Sequence, residues 1–175
     1  MTTAEPELYY ISFEDFLAQV RQVAQEVGSG DWKPDFIIGV GRGGLVPAVF
    51  MSHQLNTPML SIDHSSKVPG FADELLAKVA AKSAAGVRLL FTDDINDSGG
   101  TIDYIRRLLA SNGCDNGNLR FAVLLNNSRS KVSVDYSAKT IDRTEDKRWF
   151  VFPWEAVATN DALVEEALSV PERLG

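Results

Sequence analysis

Three carboxylates, Asp93, Asp94 and Asp97, lie beside two glycines in the segment 89–101, whose sequence is LLFTDDINDSGGT. Residues 89–92 are apolar or favour β structure, as in a strand buried in a parallel sheet. Two carboxylates that directly follow such a strand stand at the carboxyl edge of the sheet, where α/β proteins bind their ligands. Carboxylates at that edge can accept hydrogen bonds from the hydroxyl groups of a sugar.

The loop 97–101 leads from these acids into a helix with an apolar face. A loop at a helix N-terminus directs backbone N–H groups and the positive end of the helix dipole at one point, and glycines let an anion approach. We therefore predict a sugar-phosphate site in which the loop binds a phosphate monoester. Its residues are Asp93, Asp94, Asp97, Ser98, Gly99, Gly100 and Thr101. The alternative is an ordinary strand-to-helix turn whose acids cap the helix and face solvent.

The segment 89–101 resembles the phosphoribosyl-pyrophosphate signature of the type I phosphoribosyltransferases, although two of its positions carry Thr or Asn where that signature is usually aliphatic. The resemblance implies that Asp93 and Asp94 hold the ribose hydroxyls, with Asp94 contacting Mg²⁺ or its waters. It implies that the loop cradles the 5′-phosphate. It also implies that Asp97 is the catalytic residue, as a general base or a hydrogen-bond partner for a purine imidazole nitrogen.

A second glycine-rich segment, GRGGLVPA at 41–48, follows a short apolar strand. Its backbone amides and one guanidinium suit a second phosphate or a pyrophosphate, whereas the alternative is a common turn with a solvated arginine. The segment resembles the pyrophosphate-binding loop of the xanthine-guanine phosphoribosyltransferases. That resemblance implies that Arg42 and Gly43 bind pyrophosphate, and it makes the Gly41–Arg42 peptide bond a candidate for the cis form.

The segment 148–155, RWFVFPWE, is rich in aromatic residues, for which core packing is the simplest interpretation. Its Trp-x-x-x-Pro-Trp-acid pattern also resembles the base-recognition segment of the xanthine-guanine and hypoxanthine enzymes. The resemblance implies that Trp149 stacks on the purine and that the backbone of Phe150 hydrogen-bonds the edge of the base. We assign Phe152 and Trp154 to the core.

Lysine positions leave two further questions. Lys67, in a loop 64–71 that resembles the mobile loop of this family, and Lys82 are candidate contacts of pyrophosphate. The lysine that usually follows the strand matching 121–125 in the purine enzymes, where it donates to the 6-oxo group, is replaced by Asn126-Asn127. An amide can donate to a carbonyl oxygen or accept from an amino group, so the sequence leaves the identity of the base open.

Strand and helix patterns alternate along the chain, which predicts an α/β fold with a doubly wound, mostly parallel sheet flanked by helices and a small hood region. We expect a single domain at 1–175, with its core at about 36–155. The predicted strands are 36–40, 59–63, 89–92, 121–125, 136–141 and 149–152, and the predicted helices begin at 13, 45, 72, 102 and 160. The candidate residues of the glycine-rich segments then meet at the carboxyl edge of the sheet.

Composition excludes several classes of protein. A chain of 175 residues with 45% apolar content can bury a substantial core, and its net charge of −7 argues against a nucleic-acid-binding surface. One cysteine, Cys114, allows neither an intrachain disulfide nor a cysteine-based zinc site. We find no leader pattern and no segment long enough for a membrane span, and we expect a cytosolic protein.

The resemblance implies an enzyme that transfers the phosphoribosyl group of phosphoribosyl pyrophosphate to a nucleobase and releases pyrophosphate. The expected base is a 6-oxopurine (xanthine, guanine or hypoxanthine), as in purine salvage, with Mg²⁺ as cofactor and a homodimer or homotetramer as the assembly. One alternative is a noncatalytic regulator that senses phosphoribosyl pyrophosphate. Another is a transferase for a different base, such as a pyrimidine or orotate.

Overall fold

A computed structural model describes residues 6–64, 70 and 72–170 of the chain. The strands are β1 (Leu8–Tyr10), β2 (Phe36–Val40), β3 (Met59–Ile62), β4 (Leu89–Asn96), β5 (Leu119–Asn127), β6 (Tyr136–Ile141) and β7 (Trp149–Val151). The helices are α1 (Phe13–Ser29), α2 (Gly41–Leu55), α3 (Asp73–Ala84), α4 (Gly100–Ser111) and α5 (Asn160–Leu168). Within these residues, no helix combines the length and apolar character needed to cross a membrane.

Among the described residues, five strands form the central sheet in the order β3-β2-β4-β5-β6, and every neighbouring pair is parallel. Successive residues of a strand point to opposite faces, so β2, β3, β4 and β5 contribute to two cores. Ile37 and Leu90 pack with α1 and α2 on one face, whereas Ile38 and Phe91 pack with α3 and α4 on the other. The predicted doubly wound α/β architecture is confirmed.

A separate sheet of β1 and β7 forms the predicted hood, with its two short strands parallel and Tyr9 opposite Phe150. Alternation along β7 divides its side chains between two environments. Trp149 and Val151 pack with Leu163 of α5, whereas Phe150 belongs to the core that α1 and α2 cover, as does Phe152 just after the strand. The hood is therefore attached to the α1–α2 face of the domain.

Several element boundaries differ from the sequence-based prediction, and those of β4, β5 and α2 bear on the candidate site. Strand β4 continues through both acids to Asn96, because its ladder with β5 continues through the Asn96–Asn126 pair. Strand β5 likewise includes Asn126 and Asn127. Helix α2 begins at Gly41, so GRGG forms the first turn of the helix and not a loop before it.

Candidate active site

The acid pair of β4 meets the first turn of α2. Asp93 and Asp94 are half-buried, and the Oδ1 atom of Asp93 accepts a hydrogen bond of 3.0 Å from the Asp94 backbone N–H. A Cβ placed on Gly43 would lie 2.4 Å from Oδ2 of Asp94, and one on Gly44 would lie 2.0 Å from the Thr92 carbonyl oxygen. Only glycine allows this approach. The glycines of the first turn therefore bring α2 against the predicted ribose-binding acids.

The Gly41–Arg42 peptide bond is trans, since no peptide bond among the described residues is cis. The proposed cis bond is thus wrong for this structure. Gly41 turns the chain with a φ of 55°, a left-handed value that favours glycine. The side chain of Arg42 is 91% exposed and has a long contact of 3.8 Å with Glu166 of α5. Its contact with pyrophosphate stays a prediction.

The loop predicted to bind phosphate directly precedes α4. Gly99 is the N-cap residue with a left-handed φ of 87°, and α4 begins at the exposed Gly100. The hydroxyl of Ser98 is half-buried and accepts a hydrogen bond of 3.4 Å from the Gly100 N–H, and Thr101 is half-buried in the first turn. A Cβ on Gly99 would lie 2.7 Å from Oγ of Ser130, so the loop packs directly against the segment after β5.

Asp97 is buried beneath an arginine that the sequence analysis did not single out. The two side chains are 3% and 9% exposed, and Nη2 of Arg143 donates to Oδ2 of Asp97 at 2.8 Å. The Nε atom of the same guanidinium lies 3.1 Å and 3.2 Å from the two carboxylate oxygens. Such a bidentate, charge-assisted pair fixes the plane of the carboxylate as well as its position.

Asn127 completes this arrangement from β5. Its Nδ2 atom donates to the Asp97 carbonyl oxygen at 3.1 Å and lies 3.4 Å from Oδ1 of Asp97, while its Oδ1 accepts from the N–H groups of Arg129 and Arg143. Asn126 accepts a hydrogen bond of 2.8 Å from Asn96. At the place where the purine enzymes usually carry a lysine, Asn126 therefore bonds the end of β4, and Asn127 bonds the loop that begins at Asp97.

Phe150 lies next to the Asp97–Arg143 pair and has two arginines near its ring. The guanidinium carbon of Arg143 is 5.0 Å from the ring centroid, and that of Arg148 is 5.8 Å away. Tyr9 packs edge-on against the same ring. The side-chain hydrogen bonds of Arg148 to Asp146 hold the pKa of that carboxyl below its usual range. The Phe150 ring is thus packed between two guanidinium groups and Tyr9.

The backbone of Phe150 faces away from β1. The Trp149 N–H donates to Glu7 and the Val151 carbonyl accepts from Ile11, so these two residues of β7 bond to the β1 side. Backbone groups of alternate residues in a strand point to opposite edges. The N–H and C=O of Phe150 therefore point to the other edge of β7, where no strand among the described residues pairs.

Trp149 is 7% exposed and belongs to a small cluster with Val151, Leu163 and Ala167. This is the environment that the core-packing interpretation expects, whereas stacking on a base requires one face of the indole to be reachable. Stacking by Trp149 stays a prediction. The assignment of Phe152 and Trp154 to the core is confirmed, since their rings stack at 4.9 Å within the large α1–α2 core.

Of the two lysines considered for pyrophosphate, Lys67 lies outside the described residues. Lys82 lies near the end of α3, and its amine is 5.6 Å from the ring of Phe36, the first residue of β2. That position is at the amino end of the sheet, opposite the acids. The structure therefore excludes Lys82 from the site.

His64 follows β3 and approaches the first turn of α2, where a Cβ on Gly41 would lie 2.5 Å from its carbonyl oxygen. Its imidazole packs against Tyr104 of α4 at 5.1 Å, and the Tyr104 hydroxyl donates to Asp73 of α3. Burial lowers the pKa of His64, an effect that the carboxylate of Asp73 partly opposes. His64 therefore contacts the first turn of α2 through its carbonyl group and α4 through its imidazole ring.

Arg143 is not among the residues predicted for the site, because it lies 46 residues from Asp97 and belongs to no glycine-rich segment. One feature of the sequence does point to Arg143. Arg143 closely follows the strand β6 at the same edge of the sheet as the acids, and a basic residue at that edge can pair with them.

Comparison with known proteins agrees with this arrangement. The family model described as "Phosphoribosyl transferase domain" matches residues 12–158. A xanthine-guanine phosphoribosyltransferase of Idiomarina loihiensis is 28% identical over 156 residues, which cover 84% of this chain and 86% of the relative.

Two solved structures share the fold. A purine phosphoribosyltransferase from Pyrococcus horikoshii superposes with a TM-score of 0.63 at 25% identity, over 84% of this chain and 93% of the other. The xanthine-guanine-hypoxanthine phosphoribosyltransferase of Helicobacter pylori gives a TM-score of 0.63 at 21% identity, over 86% and 95% of the two chains. With its acid pair on β4 and glycine-bounded loop before α4, the chain belongs to the phosphoribosyl transferase domain family.

Proposed function

We propose that the protein transfers the phosphoribosyl group of phosphoribosyl pyrophosphate to a ring nitrogen of a 6-oxopurine and releases pyrophosphate, in purine salvage. The observation that carries the proposal is the contact between Asp94 and Gly43, which brings the sugar-binding acids and the first turn of α2 to one edge of the sheet. The loop before α4 lies at the same edge. Sugar, phosphate and pyrophosphate groups of one substrate can thus be bound side by side.

Each group has a chemical role in this reaction. The Asp93 and Asp94 carboxylates hold the ribose hydroxyls, the loop 97–101 holds the 5′-phosphate, and Arg42 with Gly43 binds the pyrophosphate. The bond from C1 to the pyrophosphate oxygen breaks, its electron pair leaves with pyrophosphate, and the purine nitrogen forms the new bond to C1. Asp97 accepts the hydrogen bond or the proton of the imidazole ring.

Mg²⁺ fits the acids of β4. Its usual protein sites supply one or two carboxylates and leave the remaining positions to waters and substrate phosphates. Asp93 and Asp94 offer that number of carboxylates, and no group of three or more His, Cys, Asp or Glu residues suited to a metal occurs among the described residues. Asp94 is the proposed contact to the ion or its waters. The ion would neutralise charge on the leaving pyrophosphate.

The choice of a 6-oxopurine rests on the hood and on the named relatives. The backbone N–H and C=O of Phe150 point to an edge of β7 that no described strand occupies, as hydrogen bonding to the edge of a base requires. The Idiomarina loihiensis relative acts on xanthine and guanine according to its name. Asn126 is the proposed donor to the 6-oxo group, because both polar ends of the Asn127 amide are used within the protein.

The test is to incubate the protein with Mg²⁺, phosphoribosyl pyrophosphate and each nucleobase separately, and to identify the nucleotide formed by chromatography. Xanthine, guanine or hypoxanthine should yield the corresponding monophosphate with release of pyrophosphate. Binding of phosphoribosyl pyrophosphate by calorimetry without product from any base would instead indicate the sensor alternative. Product from adenine, orotate or uracil alone would refute the 6-oxopurine. We further propose a homodimer or homotetramer, which light scattering measures directly.

A further inference from the structure

The guanidinium of Arg143 is enclosed by partners from three parts of the chain. Its Nε and Nη2 atoms bond the Asp97 carboxylate, while Nη1 donates to the carbonyl oxygens of Arg148 at 2.6 Å and Asp146 at 3.3 Å. One face of the group lies 5.0 Å from the centroid of the Phe150 ring. Arg143 therefore connects the catalytic carboxylate directly to the segment that leads into β7.

A single cation in this position determines the geometry of two binding elements at once. Asp97 begins the phosphate loop, and Phe150 supplies the backbone that faces the base. Because a guanidinium is planar and donates in a fixed fork, it holds the plane of a carboxylate in a way that a lysine ammonium cannot. Burial of both partners removes the solvent that would otherwise let the carboxylate rotate among several orientations.

We infer that Arg143 is a positioning residue for the transfer reaction: it holds the Asp97 carboxylate in the orientation in which that group meets the purine nitrogen. The inference rests on the proposed function. It places the effect of Arg143 on the turnover step, because Arg143 bonds the side-chain carboxylate of Asp97 and not the backbone N–H groups and hydroxyls proposed to hold the phosphate. Replacing it should then lower kcat and leave the KM for phosphoribosyl pyrophosphate nearly unchanged.

The first measurement compares Arg143→Lys and Arg143→Gln with the wild type in steady-state kinetics for both substrates. A misplaced catalytic group commonly costs about 100-fold in rate, so we expect kcat to fall by roughly that factor in Arg143→Gln and by less in Arg143→Lys. Arg88→Met is the matched control. It removes an arginine that pairs with Asp35 at 3.5 Å, at the opposite edge of the sheet, and should leave kcat unchanged.

The second measurement separates positioning from a general structural role. Residues that act through one another give non-additive effects, so in an Asp97→Asn background the change Arg143→Gln should alter kcat by less than about threefold. The double variant removes both buried charges together. Its denaturation midpoint should therefore exceed that of Arg143→Gln alone, which leaves a buried carboxylate without its cation. If Arg143→Gln does not fold, the comparison of Arg143→Lys in the two backgrounds replaces it.

An active wild type whose Arg143→Lys and Arg143→Gln variants keep full kcat would overturn the inference. An equal loss of kcat in the wild-type and Asp97→Asn backgrounds would also overturn it, since the effect would then not pass through the carboxylate. A wild-type protein that forms no nucleotide from any base would overturn the proposed function itself. Failure of the inference and failure of the proposed function are distinguishable, because the first appears only in the variants and the second appears in the wild type.

Discussion

Gly43 lies directly against the carboxylate of Asp94, so that a Cβ at position 43 would be 2.4 Å from Oδ2, 2.9 Å from Oδ1 and 2.7 Å from Cγ. Real Cβ atoms essentially never lie this close to another atom, so a side chain at position 43 would force a shift. The acid is held by β4 and cannot withdraw through its backbone, because the ladder with β5 continues on both sides of it at Asp93 and Ile95. The turn proposed to bind pyrophosphate and the acid proposed to bind ribose thus depend on each other sterically.

Gly43→Ala should therefore displace the Asp94 side chain by about 1 Å, and a displacement of that size can cost about 100-fold in rate. We expect kcat/KM for phosphoribosyl pyrophosphate to fall by that order while the fold is retained. Steady-state kinetics and circular dichroism measure the two properties. Gly30→Ala is the control, since its added methyl meets an ordinary contact of 3.6 Å beyond the end of α1. Normal kinetics in Gly43→Ala would show that Asp94 is not used.

Asp97→Asn tests the proposed catalytic role of the Asp97 carboxylate. An amide cannot take a proton, and turnover should fall by about 10²–10⁴ while the affinity for phosphoribosyl pyrophosphate stays nearly intact. The loss of charge also leaves Arg143 buried without its anion, which should reduce the free energy of unfolding by about 3–5 kcal/mol.

Kinetics and urea denaturation on one preparation measure both effects of Asp97→Asn. Asp103→Asn is the control, because it breaks an exposed pair with Arg107 on α4, of a kind worth about 0.3–0.5 kcal/mol. Unchanged turnover in Asp97→Asn with the preferred base would remove Asp97 from the catalytic role.

Trp149→Ala separates base stacking from core packing. If the indole stacks on the purine, truncation should raise the KM for the base about ten- to a hundredfold and spare that for phosphoribosyl pyrophosphate, since such stacking is worth about 1–3 kcal/mol. If the indole instead supports α5 through Leu163 and Ala167, truncation should cost about 3–5 kcal/mol of stability with little selectivity between substrates.

Leu163→Ala is the matched comparison for Trp149→Ala, because it loosens the same cluster from the α5 side without touching the indole. A KM change for the base in Trp149→Ala that Leu163→Ala does not share would establish stacking. Equal effects of the two variants on every parameter would assign Trp149 to the core.

His64 should make stability depend on pH just below neutrality. Burial holds its pKa below the usual value of 6.5, so the unfolded chain binds more protons than the folded protein in that range. The free energy of unfolding should fall as the pH drops through 6.5 and towards the folded-state pKa, and His64→Asn should remove this part of the slope. With two histidines in the chain, the NMR spectrum of His64→Asn also assigns the His64 resonance. A titration midpoint at or above 6.5 would contradict the expectation.

The order of residues along the chain determined the parts of the protein whose causes are local. An apolar run followed by acids, a glycine-bounded loop and an amphipathic segment can form β4, the loop and α4 without reference to distant residues. The importance of glycine at positions 43 and 99 could be predicted for the same reason. Each permits a close approach that a side chain would block, so a glycine at such a position indicates that another group lies close to the backbone.

Only the tertiary structure decided which distant groups meet at the carboxyl edge of the sheet. The placement of β6 beside β5 brings Arg143 to Asp97, and the pairing of β7 with β1 turns the Phe150 backbone away from β1. The same pairing directs Trp149 towards α5. Contacts of this kind depend on strand order and on which face of a strand is covered. A pattern of residue types along one segment carries no information about either, because both result from packing whole elements against each other.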